Sequence, residues 1–66
     1  MRISVTKFTI VTKERPTKIY AGNGNLSEFF EDVFLFDFRQ SCDDELATFD
    51  EPEKFECAEV NIWMEV

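Results

Sequence analysis

Residues 25–39 read NLSEFFEDVFLFDFR and hold five of the chain's eight phenylalanines and four of its fourteen carboxylates. How this stretch folds decides where the core lies. Asn25 followed by Glu28 has the spacing of a capping box, with Asn in place of Ser or Thr. Leu26, Phe29, Phe30, Val33 and Phe34 then recur at i, i+3, i+4, i+7 and i+8, the pattern of an amphipathic helix. Glu28, Glu31 and Asp32 fall on the opposite face. Beyond Phe34 the pattern fails, because continued helix would place Asp37 inside the apolar stripe. Phe34, Phe36 and Phe38 alternate instead. The reading is a helix from Asn25 to about Phe34–Phe36; helix and strand both stay open for Phe34–Arg39.

On the N-terminal side, Arg2–Thr12 alternates as a strand does, but its phase slips. Ile3 and Val5 share one face, and Phe8 and Ile10 share the other. A β-bulge near Thr6–Lys7 would bring all four to one side; the alternative is a strand covered on both faces. Lys13-Glu14-Arg15-Pro16 reads as a turn, and Thr17–Ala21 as a short second strand with Pro16 at its start. Gly22-Asn23-Gly24-Asn25 ends that strand and supplies positive φ cheaply.

On the C-terminal side, Ser41-Cys42-Asp43-Asp44 is an N-cap signature for a helical turn over Cys42–Thr48. Asp50-Glu51-Pro52-Glu53 is a turn. Glu56–Val66 alternates most cleanly of all. Ala58, Val60, Ile62, Met64 and Val66 form the face expected to meet the core, with Glu59, Asn61, Trp63 and Glu65 outside. The expected architecture is an α+β two-layer sandwich in the order β-β-α-(helical turn)-β. Its antiparallel sheet has three strands, or four with a short extra one, and packs on one helix. Sixty-six residues bound this to a single domain, 1–66.

A chain this short buries only about 60% of its unfolded surface. Its resource is aromatic bulk, ten rings in all, each able to remove roughly 150–250 Å² from water. Cys42 and Cys57 form no CxxC pair and are expected as reduced, buried thiols, with one disulfide between them left open. Lys7 interrupts the N-terminal apolar residues, so that segment does not read as a secretory leader. No run approaches the ~20 apolar residues of a membrane span. A cytoplasmic protein is expected, in the host cytoplasm if the gene is phage-borne.

Enzyme chemistry is not expected. There is no His, the serines sit in no nucleophile motif, and neither Cys has a basic sequence neighbour. The acidic run from Asp43 to Glu53 lacks EF-hand spacing, and Gly22–Asn25 lacks the Lys of a phosphate loop. No catalytic residue, metal or cofactor is assigned.

The informative feature is charge. The chain carries −7 overall. Residues 1–25 hold five basic side chains against Glu14 alone, while residues 26–66 hold Arg39 and Lys54 against thirteen acids. Like charges at helical spacing destabilise a helix by roughly 0.2–0.5 kcal/mol a pair, so an all-acidic face needs another reason. A negative surface next to aromatics can imitate the charge density of duplex DNA and dock on a basic protein. The candidate contacts are Glu28, Glu31, Asp32, Asp43, Asp44 and Glu45, with Trp63 as an aromatic anchor. Direct nucleic-acid binding is disfavoured by the net charge.

In size, charge and α+β character the chain resembles the small acidic inhibitors of phages and mobile elements: DNA mimics that block restriction, repair or transcription enzymes, and some anti-CRISPR proteins. No motif is shared, so no residue role is carried over. The resemblance implies a protein partner that handles nucleic acid. The alternative expectation is an assembly module, a homodimer joined through edge strands and opposite charges, or an antitoxin-like regulatory partner.

Overall fold

A computed structural model describes all 66 residues. One four-stranded antiparallel sheet carries the chain, with strand order β3-β2-β1-β4. The strands are β1 (Arg2–Thr12), β2 (Ile19–Gly22), β3 (Asn25–Ser27) and β4 (Phe55–Glu65), and the one α-helix is α1 (Arg39–Leu46). The α+β two-layer arrangement expected from sequence is present, including the short fourth strand. No helix is long and apolar enough to cross a membrane.

The helix, however, is not where the phenylalanine spacing put it. Asn23 and Gly24 form a two-residue loop with φ of +54° and +76°, the conformation of a type I′ hairpin turn. That turn folds the chain back on β2, so Tyr20 faces Leu26 and Gly22 faces Asn25. Asn25 is therefore a strand residue and caps nothing. The Ser27 hydroxyl then accepts from the Phe29 N–H at 3.0 Å and donates to Asp32 Oδ2 at 2.7 Å. Only one 3₁₀ turn, Phe30–Asp32, follows before the chain extends. A local side-chain bond of this kind competes with helix. Phe29 and Phe30 consequently stand 63% and 55% exposed and do not build the core.

Phe34 to Asp37 is extended. The Phe34 N–H donates to the Tyr20 carbonyl, and Phe36 exchanges both backbone bonds with Phe8. Lys7 forms an ion pair with Asp37 one residue further along the same pairing. Helix α1 starts at Arg39, with Phe38 as its extended N-cap and no side-chain cap bond. Ser41 thus lies inside the helix rather than capping it. Cys42 and Leu46, one turn apart, face the sheet. Pro52 opens a 3₁₀ turn, Pro52–Lys54, that leads into β4.

Strands β1 and β4 pair without a break from Arg2↔Glu65 to Thr12↔Phe55, so the expected bulge at Thr6–Lys7 is absent. The phase slip has a different cause: the two ends of β1 use different faces. Phe8, Ile10 and Thr12 share a face with Phe55 and Cys57, and α1 lies on that face. Ile10, Tyr20 and Cys42 are sealed there, surrounded by Phe8, Phe36, Leu46, Phe49, Phe55 and Cys57. Tyr20 is the hub, with ring centroids of Phe49, Phe34 and Phe36 at 5.4, 5.9 and 6.2 Å.

The β4 face expected in the core, Ala58, Val60, Ile62, Met64 and Val66, is the one α1 does not cover. Ala58, Val60 and Ile62 are half-buried, and Met64 and Val66 are exposed. Ile3 and Val5 lie on that same face, opposite Met64 and Ile62.

Candidate functional site

The three consecutive acids Asp43, Asp44 and Glu45 occupy the last turn of α1, which contains no basic residue. The carbonyl end of a helix is the negative pole of its dipole, and each carboxylate there costs about 0.3–1 kcal/mol. Each is offset by one local bond. Asp43 Oδ1 accepts from the Cys57 thiol at 3.1 Å. Asp44 Oδ1 accepts from the Gln40 amide one turn earlier, at 2.9 Å. Glu45 Oε2 accepts from the Tyr20 hydroxyl at 2.5 Å. Asp43 and Glu45 therefore fasten the helix to the sheet, whereas Asp44 is fastened only within the helix.

These bonds shift the groups that make them. The hydrogen bond to Glu45 raises the Tyr20 phenol above its ordinary value, and burial adds to it. Burial raises the Cys42 thiol. Burial first, then hydrogen bonds to Cys42 and Asp43, push Cys57 far up. Both cysteines are free, lie in contact across the helix–sheet seam and are neutral at physiological pH.

Glu28, Glu31 and Asp32 sit elsewhere, in the connection that follows β3. All three are exposed. Sequence reasoning placed them on one helix face; the structure puts Glu31 and Asp32 on a single 3₁₀ turn and ties Asp32 to Ser27. Trp63 belongs to neither group. It shares the helix-side face of the sheet but lies six residues past Cys57, roughly 20 Å along the strand, and is 65% exposed. The seven candidates thus form two acidic groups and a separate aromatic.

A groove that sequence reasoning missed lies beside the helix group. Its volume is about 610 Å³, with Tyr20, Leu26, Phe49 and Phe55 as apolar lining and Glu45 and Asp50 among its carboxylates. Its one legible signal was the Asn23-Gly24 hairpin, which brings Leu26 beside Tyr20. The groove's chemistry suits a cation on an apolar stem. No three Asp, Glu or Cys side chains converge to hold a metal ion.

Strand pairing brings part of the basic N-terminal segment against the acidic remainder. Arg2–Glu65, Lys7–Asp37 and Lys54–Glu51 are the ion pairs. Of fourteen carboxylates and seven basic side chains, eleven and four are left without one. Lys13, Arg15 and Lys18 lie in or next to the β1–β2 connection without an ion pair, Lys13 and Arg15 lining a shallow groove with Glu56.

These features define a small acidic α+β protein with an antiparallel sheet, one anionic helix end and an anionic loop. No family model, curated protein or solved structure matches the chain.

Proposed function

We propose that this is a non-enzymatic binding protein whose acidic helix end and loop dock on the basic surface of a nucleic-acid-handling protein and block it, as a DNA mimic does. The observation that carries the reading is the unpaired charge. Eleven carboxylates lack an ion-pair partner although four basic side chains are free to supply one. Mixed surfaces ordinarily intersperse the two signs. Here three acids also crowd the helix end that disfavours them. A partner rich in Lys and Arg would neutralise the unpaired charge and add to the local bonds that offset the helix-end acids. The groove beside Glu45 can take the stem of one such side chain on its aromatic lining while its carboxylates meet the charged head. Contacts of this kind speed encounter and set specificity, and the apolar lining lengthens residence.

Glu28, Glu31 and Asp44 are the test positions, because none of them holds helix to sheet. The experiment is capture from bacterial lysate on immobilised protein, with and without excess duplex DNA, followed by identification of the captured protein. The reading expects a nucleic-acid-binding protein that DNA and rising salt displace. Changing all three acids to Lys should abolish capture while the far-UV circular dichroism stays unchanged. A captured partner that DNA leaves in place, or that the triple variant binds equally well, would overturn it.

A further inference from the structure

The monomer is too open for its size. A compact chain of 7.8 kDa should expose about 4,400 Å², yet this one exposes 4873 Å². Its radius of gyration is 12.4 Å, against about 11 Å for a compact chain of this length. It measures 42 × 24 × 18 Å. The elongation follows the β1–β4 ribbon, whose Arg2–Thr6 and Asn61–Glu65 halves run on past α1 and carry the exposed Ile3, Trp63 and Met64.

Strand β4 is also an uncovered edge. Val66 donates to the Met1 carbonyl and Lys13 to the Lys54 carbonyl. In the unbroken register, even-numbered residues of β4 therefore turn their backbone groups toward β1. The N–H and C=O groups of Phe55, Cys57, Glu59, Asn61, Trp63 and Glu65 point outward, unpaired. Edges of this kind are normally short, bulged or guarded by Pro or Lys. This one runs eleven residues with neither Pro, Lys nor a bulge, and only Glu56, Glu59 and Glu65 put charge on it.

We infer that the occupant of this edge is the β4 strand of a second copy, paired antiparallel about a two-fold axis at Val60. The strand itself selects that register. Val60 is the midpoint of Phe55–Glu65, so only this register pairs all eleven residues. It sets no acid against another acid: Glu59 meets Asn61, Glu65 meets Phe55, and Glu56 meets Met64. Centring on Glu59 would oppose that residue to itself, and centring on Ile62 would oppose Glu59 to Glu65.

The Val60 register also explains the exposed tryptophan. Trp63 of one copy falls opposite Cys57 of the other, on the face where α1 lies, so its indole packs on the flank of the other copy's helix. On the opposite face Val60 meets Val60, and Ala58 meets Ile62. The assembly closes at two, because its remaining edges are the three-residue strands β3. This inference does not rest on the docking of a basic partner. It leaves Glu28, Glu31 and Asp44 free.

The expected salt dependence has the opposite sign to a dimer held by opposite charges. Two copies of −7 repel, so added salt should strengthen the pairing. The test is sedimentation equilibrium over a concentration series, with the emission of the lone Trp63 followed in parallel. The wild type should reach twice the mass of one chain, more readily in salt, with a concentration-dependent blue shift. Glu59→Pro removes an outward N–H and no β1 bond; it should raise the dissociation constant at least tenfold. Glu59→Ala keeps the N–H and should dimerise like the wild type. A single-chain mass at all concentrations would overturn the inference. So would a dimer that Glu59→Pro leaves intact, or one whose Trp63 emission does not move.

Discussion

Replacing Tyr20 by Phe removes one oxygen from the hub of the core. Tyr20 is 2% exposed, and its hydroxyl joins β2 to α1 through Glu45 at 2.5 Å. A hydrogen bond to a charged acceptor contributes about 1.5–3 kcal/mol. Glu45 is only half-buried and can rehydrate, so the lower end applies, about 1.5 kcal/mol. The ring itself stays, parallel within 6° to Phe36. Removing it as Ala should cost about 3–5 kcal/mol, a large share of the ~3–10 kcal/mol expected for 66 residues. Urea unfolding at neutral pH measures both, with an unchanged m-value as the sign that only stability moved. The pH dependence adds a second check. The folded-state pKa of Tyr20 is raised, so its stabilisation is complete below the unfolded value of ~10 and is lost as pH climbs through the folded one. The gap between wild type and Tyr20→Phe should therefore narrow above pH ~10. A Phe variant within about 0.5 kcal/mol of wild type, the range of a featureless surface change, would refute the argument. So would a gap that stays constant through the alkaline range.

Two further outcomes follow from the placement of the aromatics and the thiols. Phe30→Ala should cost well under 1 kcal/mol and Phe36→Ala about 3 kcal/mol, since Phe30 is 55% exposed and Phe36 stacks on Tyr20; equal losses in urea unfolding would restore the amphipathic helix over Asn25–Phe34. Cys42 and Cys57, both with raised pKa, should resist alkylation by iodoacetamide at neutral pH and react only on unfolding; rapid labelling of the native protein, read by mass spectrometry, would contradict the sealed seam.

Asn25–Arg39 shows where local reading stops. The phenylalanine spacing fits a helix on paper, with a capping-box spacing at its start. Yet Asn23-Gly24 just ahead is a hairpin turn with a physical mechanism, and it commits Asn25 and Leu26 to a strand before any helix can begin. Ser27 then ties Phe29 and Asp32 into one tight turn. The helix forms downstream at Arg39–Leu46, a stretch with only Cys42 and Leu46 to bury, because the sheet already offers Ile10 and Cys57 as its seat. The acidic candidates were legible as residues but not as a surface. Asp43 and Glu45 turned out to hold the helix down, and Trp63 lies far along the ribbon from both acidic groups.

The α+β class, the long terminal strands and the unequal division of charge were legible along the chain, because alternation and composition are properties of neighbouring residues. Which face of those strands is core was set by long-range packing. Both faces of β1 and β4 carry apolar residues, so alternation alone leaves the choice open. It is made by the face on which Phe36, Tyr20 and Cys42 converge, through pairings between residues far apart in the chain.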